Sequence, residues 1–461
     1  MADLIQLDAP IQLDALGHNG AYRARTRLSV PDVTGTPVAE LSLVPRLFVH
    51  RSLAALRSAG IVPADRLAAA LMQAGQAFAT ATINGLSVEE YQHTVSRVSG
   101  MPISVVRATT GMIAYAAAEA YGVTQSARPV GAVNQWRDPA TRTGSAVWTR
   151  RGDVFAVHAS GNHPGVHGLW LEALALGYRV AVRPSQREPF TPHRLITALR
   201  QAGLGNDQVA LLPTDHAVAG EIIRGADLAM VYGGQDVVDR FGGSTSVLVQ
   251  GPGRSKILLA DGDWRAHLDT VVASIANEGG TACVNTTAVL VEGNPTPVAE
   301  AIAERLSAIP SLPPQDEKAV LPVQPLATAA AMEKLLLNRA QGTRAWLGGD
   351  GIVDDLGDGS AVLRPAVFQV DEAGAPQTGV ELGFPLVWVA PWSRADGVSP
   401  LRNTLVLTAI TQDEQLVERL VEDPTIRNVY VGDHPTYWMR PGVPHDGYLA
   451  EFLMRTKAVI R

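Results

Sequence analysis

The strongest candidate nucleophile is Cys283, the only cysteine of the chain. It lies in Asn277-Glu278-Gly279-Gly280-Thr281-Ala282-Cys283-Val284-Asn285, between a predicted apolar helix and a predicted strand, where two glycines allow close approach of the backbone. A thiolate there could attack a carbonyl carbon and hold the product covalently. Taken alone, however, the segment favours a simpler interpretation, in which the cysteine is a small buried hydrophobic residue. The surrounding motifs must decide between the two.

Other groups with possible chemistry come directly after predicted strands. They are Ser160-Gly161-Asn162-His163-Pro164, Arg183-Pro184-Ser185-Gln186, Tyr232-Gly233-Gly234 and Gln250-Gly251-Pro252-Gly253-Arg254-Ser255. Asn162 offers an amide donor, or else it is a turn residue near proline. Gly233 and Gly234 could present backbone N–H groups to a phosphate, or else form a plain tight turn. His163 is interpreted as a structural histidine rather than a catalytic one.

These segments belong to a predicted repeat of strand and helix. Candidate strands cover 154–158, 179–183, 208–212, 228–232 and 246–250. Short apolar strands alternating with amphipathic helices predict an α/β fold with a doubly wound parallel sheet, which often binds dinucleotides at the carboxyl ends of its strands. Strands near 257–260 and 288–292, around a helix near 264–276, predict a second α/β domain. We expect the chemistry in the cleft between the two domains.

The remaining regions complete the predicted domain organisation. A tandem echo, residues 5–9 and 11–15, is interpreted as a surface arm, and residues 39–120 as a helical layer. Glycine, proline and alternating residues between 127 and 151 predict a small β-hairpin with a loose tip. We therefore expect a dinucleotide-binding domain in 1–126 and 150–252 and a catalytic domain in 253–439. A β-hairpin oligomerisation element and tail should occupy 127–149 and 440–461.

Composition excludes several classes of function. The 461 residues are 46% hydrophobic and 18% charged, and the net charge is −7. The sequence has no cluster of basic residues of the kind that binds a phosphate backbone, so nucleic acid is not an expected partner. No apolar run is long enough to span a bilayer, so no membrane partner is expected. The single cysteine and an N-terminal sequence without a secretory pattern predict a cytoplasmic protein. No metal site is expected.

Taken in their order along the chain, the motifs resemble those of the aldehyde dehydrogenase superfamily. Each has a family counterpart at the same place: an asparagine before an apolar residue and proline at 160–164, Lys-Pro-Ser-Glu at 183–186, Thr-Gly-Ser at 232–234, and Glu-Leu-Gly-Gly-Lys-Ser at 250–255. The cysteine loop, Arg364-Pro365-Ala366-Val367 and Glu381-Leu382-Gly383-Phe384-Pro385-Leu386 follow in the family's order. The likeness extends from Thr36 to the C-terminal Thr456-Lys457-Ala458-Val459.

The resemblance implies a catalytic role for several residues. Cys283 would attack an aldehyde carbonyl to give a thiohemiacetal, and hydride transfer to a nicotinamide would leave an acyl thioester on the enzyme. The amide of Asn162 and the backbone N–H of Cys283 would stabilise the oxyanion. The same steps in reverse would reduce an acyl thioester to an aldehyde.

The resemblance also implies cofactor contacts at the strand ends. The candidates are Ser160, Arg183, Ser185, Gln186, Gly233, Gly234 and Glu381. Glu381 matches a glutamate that steadies the nicotinamide ribose, although a surface carboxylate is an alternative. Gln186 replaces a glutamate whose charge would repel a 2′-phosphate, and Arg183 offers a fork suited to phosphate. NADP is therefore the preferred cofactor, with NAD as the alternative.

The largest departure from the family is Gln250. Hydrolytic members have a glutamate here that activates water, and glutamine cannot act as a base near neutral pH. Members that exchange the acyl group with a thiol generally lack that glutamate, and residues 161–165 also resemble acyl-CoA reductases. The first hypothesis is therefore an NAD(P)-dependent enzyme that interconverts an aldehyde and an acyl thioester, with coenzyme A or an acyl carrier protein as acyl partner.

Two alternatives stay open. Glu278, five residues before Cys283, could replace the missing base and permit oxidation of an aldehyde to an acid, or else it is a solvated loop carboxylate. Altered family positions, among them Thr281, also permit a scaffold that has lost catalysis, although the retention of Cys283 and Asn162 argues against it. The segment Pro444-His445-Asp446-Gly447-Tyr448 is similar to part of ring-cleavage aldehyde dehydrogenases, but the likeness is short.

The resemblance further implies an oligomer. Family members usually pair through the hairpin and the C-terminal tail, so we expect a homodimer or a higher homo-oligomer. Trp136 and Trp148 are candidate exposed contacts, or else they pack within their own subunit.

Overall fold

The structure, a computed structural model, describes residues 9–461. Residues 1–8, which hold most of the first copy of the N-terminal echo and the segment searched for a secretory pattern, lie outside that range. The second copy is not a surface arm, because Ile11–Leu13 forms strand β1 and Ala15–Gly17 forms strand β2. Leu13, Ala15 and Leu16 are buried, so this segment packs into the core.

Between residues 18 and 250 the chain forms nine further strands and nine α-helices. The strands are β3 (Gly20–Tyr22), β4 (Arg27–Pro31), β5 (Pro37–Ser42), β6 (Ser145–Arg150), β7 (Val154–His158), β8 (Arg179–Arg183), β9 (Val209–Leu211), β10 (Leu228–Tyr232) and β11 (Val247–Gln250). The helices are α1 (Arg46–Ser58), α2 (Ala64–Thr80), α3 (Val88–Ser99), α4 (Ile103–Ser126), α5 (Val166–Leu169), α6 (Leu171–Ala175), α7 (Phe190–Gln201), α8 (His216–Gly225) and α9 (Gln235–Phe241).

The first large sheet is the predicted doubly wound sheet. Its order is β11-β10-β7-β8-β9-β2-β3, and the five strands from β11 to β9 run parallel. Strands β7 and β8 are buried at every position because helices cover both faces, which explains their uninterrupted apolar sequence. The five predicted strands are confirmed, with bounds that differ by no more than one residue at either end. A separate small sheet joins β1, β5 and β4.

A second α/β layer follows in the C-terminal half. Its strands are β12 (Ser255–Leu259), β13 (Thr286–Glu292), β14 (Val323–Pro325), β15 (Arg344–Leu347), β16 (Val353–Asp355), β17 (Ser360–Leu363), β18 (Ala366–Gln369), β19 (Leu386–Trp392), β20 (Thr404–Ile410) and β21 (Ile426–Val431). Its helices are α10 (Leu268–Ala276), α11 (Thr296–Ser307), α12 (Leu326–Arg339) and α13 (Glu414–Glu422). The large sheet has the order β15-β18-β19-β13-β12-β20-β21, and all its neighbours pair in parallel except β15 and β18. The predicted α/β fold class is thereby confirmed.

The predicted hairpin between 127 and 151 differs from the observed structure. Strand β6 pairs antiparallel with β22 (Met454–Val459), which follows helix α14 (Leu449–Leu453) at the C-terminus. Trp148 of β6 is buried against Ala132 and Ala450, which is the alternative of packing within its own subunit, whereas Trp136 is 53% exposed. The strand therefore finds its partner about 300 residues away, a pairing that turn residues near 131–144 could not reveal.

The two halves of the chain are in direct contact beside the cleft. The backbone N–H of Val323 donates to the carbonyl of Gly100 at 2.8 Å, and Ile103 donates to the carbonyl of Pro314 at 2.8 Å. Gly100 ends α3 in the left-handed conformation, and a Cβ there would lie 1.8 Å from the oxygen of Val323. Within residues 9–461, no helix has the length and apolar character needed to cross a membrane.

Candidate active site

The cysteine loop has an unusual backbone that depends on its glycines. Helix α10 ends at Ala276, and Glu278, Gly279 and Gly280 then adopt positive φ values of 51°, 70° and 67°. A Cβ at Gly280 would lie 2.4 Å from the nitrogen of Pro385. The side chain of Asn285 fixes the loop, accepting from Ala282 N–H at 2.8 Å and donating to the carbonyl of Asn277 at 2.9 Å. The close approach expected from the two glycines is thus observed.

The segment after β11 lies directly against Cys283. A Cβ at Gly253 would fall 1.8 Å from the carbonyl oxygen of Cys283, so only glycine fits there. The hydroxyl of Ser255 donates to the same oxygen at 3.1 Å. Gln250 ends β11 three residues before Gly253. The structure therefore brings the Gln250 segment and the cysteine loop together, as expected.

Asn162 also reaches the cysteine loop. Its side-chain Nδ2 donates to the carbonyl of Thr281 at 3.1 Å, two residues before Cys283. A side-chain amide has two N–H donors, so the second is free to face an oxyanion formed at the nucleophile. This position fits the predicted role of Asn162 as an oxyanion donor.

We expect Asn162→Ala to lower kcat by about 10²- to 10³-fold, which is the usual cost of removing one oxyanion donor. The KM for the aldehyde should change much less, because the donor acts mainly on charge that develops in the transition state. Steady-state kinetics of the variant and the wild type test this. A change confined to KM would show that Asn162 contributes to substrate binding only.

His163 and Glu278 form a largely shielded polar contact next to Asn162. Nε2 of His163 lies 3.0 Å from Oε2 of Glu278, while Nδ1 accepts from Gly165 N–H at 3.0 Å. Burial raises the pKa of Glu278, but the hydrogen bond and charge of His163 lower it, and the net pKa lies below the ordinary value. Glu278 is thus no solvated loop carboxylate. His163 holds it, which agrees with the structural role expected for this histidine.

Glu381 lies inside the site rather than on the surface. Its Oε2 accepts from the backbone N–H of Arg254 at 2.6 Å. Burial raises the pKa of this carboxyl, and the hydrogen bonds and charge of Arg254 partly offset that effect. Arg254 has a positive φ of 50°, and its guanidinium donates to Oε1 of Gln235 at 2.7 Å. Glu381 therefore joins the turn after β11 to the edge of the cysteine site.

The thiol of Cys283 is in an acidic and desolvated environment. Burial raises its pKa first, and the charges of Glu381, Asp446 and Glu278 raise it further, to about 12. Its own backbone N–H has the opposite effect. The thiol is therefore protonated near neutral pH and needs a proton acceptor before it can attack.

A histidine that the sequence analysis did not assign to the site lies next to this thiol. Nε2 of His445 is 3.6 Å from Sγ of Cys283, within reach of a hydrogen bond to sulfur. The backbone carbonyl of His445 accepts from the side chain of Asn428 on β21, which fixes the loop. The available signal was the short motif 444–448, but 162 positions separate its histidine from the cysteine.

The strand ends that should bind a dinucleotide form one edge of the first sheet. Strands β8, β7 and β10 are neighbours and parallel, so Ser185, Ser160 and Gly234 follow them on the same side. Gly161 packs so closely on Ser185 that a Cβ would lie 2.2 Å from its hydroxyl oxygen. This edge, with small residues and hydroxyl groups, fits a dinucleotide at the ends of parallel strands.

Three predicted cofactor contacts, Arg183, Gln186 and Gly233, differ in detail from expectation. The guanidinium of Arg183 donates from Nε to the hydroxyl of Thr214 at 3.0 Å and from Nη2 to its carbonyl at 3.3 Å, so its fork is not fully free for a phosphate. Gln186 donates to the same carbonyl at 3.2 Å. The N–H of Gly233 donates to the carbonyl of Gln250 at 3.1 Å, so it is already used within the sheet. Gly234 is the residue directly before α9.

Two α/β layers that meet at a cysteine loop, with an amide donor beside the nucleophile, define an oxidoreductase of the dehydrogenase class. The chain belongs to the aldehyde dehydrogenase family, whose model matches residues 154–450. The predicted family and the predicted enzyme class, an NAD(P)-dependent aldehyde dehydrogenase, are therefore confirmed.

Solved structures of this fold superpose over nearly the whole chain at low identity. A gamma-glutamyl-gamma-aminobutyraldehyde dehydrogenase from Burkholderia cenocepacia has 17% identity and a TM-score of 0.81, over 98% of this chain and 97% of its own. An indole-3-acetaldehyde dehydrogenase mutant from P. syringae, complexed with NAD+, has 17% identity and a TM-score of 0.82, with the same two coverages. A 3,6-anhydro-L-galactose dehydrogenase complexed with NADP has 18% identity and a TM-score of 0.80, over 97% and 99%.

Proposed function

We propose that this protein interconverts an aldehyde and an acyl thioester through a covalent bond to Cys283, and that a second thiol, coenzyme A or an acyl carrier protein, exchanges the acyl group. The observation that carries the proposal is Gln250, an amide at the end of β11 where the chain turns onto Cys283. An amide cannot take a proton from water near neutral pH. A thiol is a better nucleophile than water, so it needs less help from a base.

The carboxylates nearest the cysteine are already engaged. Glu381 accepts a short hydrogen bond from Arg254 N–H, and Glu278 is held by His163. Asp446 lies 3.5 Å from the guanidinium of Arg427. All three carboxylates are held in contacts within the protein, so none is positioned as a free base for water. This supports thiol exchange over hydrolysis as the fate of the thioester.

The residues of the chain have separate roles in the proposed reaction. Cys283 supplies the nucleophile, and the amide of Asn162 supplies a donor to the oxyanion. The nicotinamide, when bound, accepts the hydride in oxidation and donates it in reduction. The ends of β7, β8 and β10, with Ser160 and Ser185, would hold the dinucleotide.

Hydrolytic oxidation of an aldehyde to an acid is the second candidate. It is favoured by one observation, the burial of Glu278 close enough to Cys283 to raise the pKa of the thiol. The pKa of Glu278 is lower than usual, which keeps it ionised and able to accept a proton, but also makes it a weaker base. Its contact with His163 would have to open for water to bind there.

We propose NADP as the preferred cofactor, with NAD as the alternative. Two relatives of similar fold are described with NAD+ and NADP respectively. Gln186 places no negative charge at the end of β8, so a 2′-phosphate meets less repulsion than it would from a glutamate.

A spectrophotometric assay with a panel of aldehydes and acyl-CoA thioesters, NAD and NADP, and with or without coenzyme A tests these proposals. We expect sustained turnover of aldehyde only when a thiol is present, and a higher kcat/KM with NADP than with NAD. Sustained turnover to the free acid without any thiol would instead establish the hydrolytic function. A higher kcat/KM with NAD would reverse the cofactor preference.

We also propose a homodimer that forms through the small β6–β22 sheet. Val130, Trp136 and Ile460 are exposed around this sheet, and exposed apolar groups of this kind are typical of an interface. Light scattering that gives the mass of one subunit would contradict the proposal.

A further inference from the structure

The loop between β21 and α14 brings a histidine to the nucleophile. Sγ of Cys283 and Nε2 of His445 are 3.6 Å apart, and no residue in between separates the two atoms. Both are partly shielded from solvent, and Cys283 packs against the buried cluster of Val284, Leu405 and Val406. The family's usual base position is occupied by Gln250, so the site contains a thiol that must lose a proton and lacks the usual acceptor.

The position of His445 is fixed from both sides. Asn428 of β21 binds the carbonyl of His445 and also donates to the carbonyl of Leu405 at 2.9 Å. The hydroxyl of Tyr448 donates to the carbonyl of Gly442 at 2.8 Å, which closes the loop around the histidine. Two separate anchors on one short loop indicate that the imidazole is held at the thiol rather than meeting it by chance.

We infer that His445 is a catalytic residue, the general base that takes the proton of the Cys283 thiol and later the proton of the incoming acyl-accepting thiol. This inference rests on the proposed covalent role of Cys283. Its first part, the activation of Cys283, does not depend on whether thiol or water finally releases the acyl group.

The proton movements balance in both steps. In the attack, the thiol proton moves from Sγ to Nε2 as the Sγ–C bond forms and the carbonyl pair moves to oxygen. The imidazolium then releases that proton to solvent. In the exchange, the incoming thiol gives its proton to Nε2 and its sulfur bonds to the acyl carbon. The C–Sγ bond breaks, Sγ leaves with the electron pair, and Nε2 returns a proton to it.

The surrounding charges set the pH range in which His445 can work. Burial lowers the pKa of His445, and the charge of Asp446 raises it only in part, so the imidazole is neutral and able to accept a proton at pH 7. His445 becomes protonated as the pH falls through this lowered pKa and can then no longer act as a base. The acid limb of the pH–rate profile should therefore lie below about pH 6.5. The carboxylates that act on the thiol are Asp446, Glu381 and Glu278. Tyr232 and Tyr430 lie close by, and Arg427 pairs with Asp446.

Alkylation by iodoacetamide tests the inference without substrate, because Cys283 is the only cysteine. In the wild type we expect an alkylation rate that rises through a pKa below about 6.5 and then stays nearly constant between pH 7 and 9. In His445→Ala and His445→Gln we expect a rate at least about tenfold lower at pH 7. Their rate should then rise about tenfold per pH unit, as expected for a thiol that ionises alone.

His434→Gln is the matched control, since His434 is an exposed histidine of the same loop and should leave the rate unchanged. Thermal unfolding checks that the variants are folded. If neither His445 variant folds, the wild-type profile decides: a rate that rises steadily from pH 7 to 9 overturns the inference. An alkylation profile of folded His445→Ala equal to that of the wild type overturns it too. Failure of the proposed function is seen separately, as turnover that survives in Cys283→Ala.

Discussion

Replacing Cys283 by alanine is expected to lower the turnover of aldehyde by roughly 10⁴-fold or more, since no other side chain can form the covalent intermediate. The loss should appear in kcat. Cofactor binding should be nearly unchanged, because the strand ends that would hold the dinucleotide belong to the first sheet. Fluorescence titration with the reduced cofactor measures that binding independently of turnover.

The covalent step can be observed directly. Wild-type protein incubated with aldehyde and oxidised cofactor, without a thiol, should gain the mass of one acyl group per subunit, and Cys283→Ala should gain none. The single cysteine makes the assignment of the adduct unambiguous. Turnover of Cys283→Ala within about tenfold of the wild type would contradict the covalent mechanism, because loss of a nucleophile costs far more than that.

Gln250→Glu is expected to create hydrolytic activity in the absence of a thiol. The wild type should release one equivalent of reduced cofactor per subunit in a burst and then nearly stop, because the thioester has no acceptor. A carboxylate at the end of β11 could activate water, and a general base commonly contributes about 10²- to 10⁴-fold. We therefore expect the steady rate after the burst to rise by about 10²-fold in the variant.

Gln250→Met is the control that distinguishes the effect of a new base from the effect of a changed side-chain shape. Methionine is the substituted residue in this control. It has a similar length but no basic group, so its steady rate without thiol should stay at the wild-type level. A wild type that turns over steadily without thiol, or a Gln250→Glu variant no faster than Gln250→Met, would show that the residue at 250 does not determine the acyl acceptor. Rapid-mixing absorbance at 340 nm distinguishes burst from steady rate.

The central strands could be predicted from the sequence because of how they are buried. Strand β7 reads Val-Phe-Ala-Val-His with each side chain buried, and glycine lies two residues before its first residue and three residues after its last. Such a strand is a short, uninterrupted run of apolar residues, which is too short for a buried helix. Its limits are marked by glycines, which are unfavourable inside a strand. The same reasoning located the groups of the site that follow strands, among them Asn162 and Gln250.

The parts of the site that the sequence could not reveal come from distant segments. His445 meets Cys283 only because β21 and β20 are neighbours in the second sheet and the loop after β21 turns back over β13. The polar contact of Glu278 with His163 likewise joins two loops more than 100 positions apart. Propensity and periodicity report local structure, and they contain no signal for such pairs.

The closeness of Gly253 to the nucleophile has a consequence for protein engineering. The chain leaves the first sheet at Gln250 and enters the second at Ser255, and Gly253 in this passage touches the oxygen of Cys283. A chimaera that takes its cofactor-binding half from a relative should therefore be joined before Gly251. A junction any later would replace residues that pack against the backbone of Cys283. A change in activity could then come from a displaced nucleophile and be mistaken for a change in cofactor specificity.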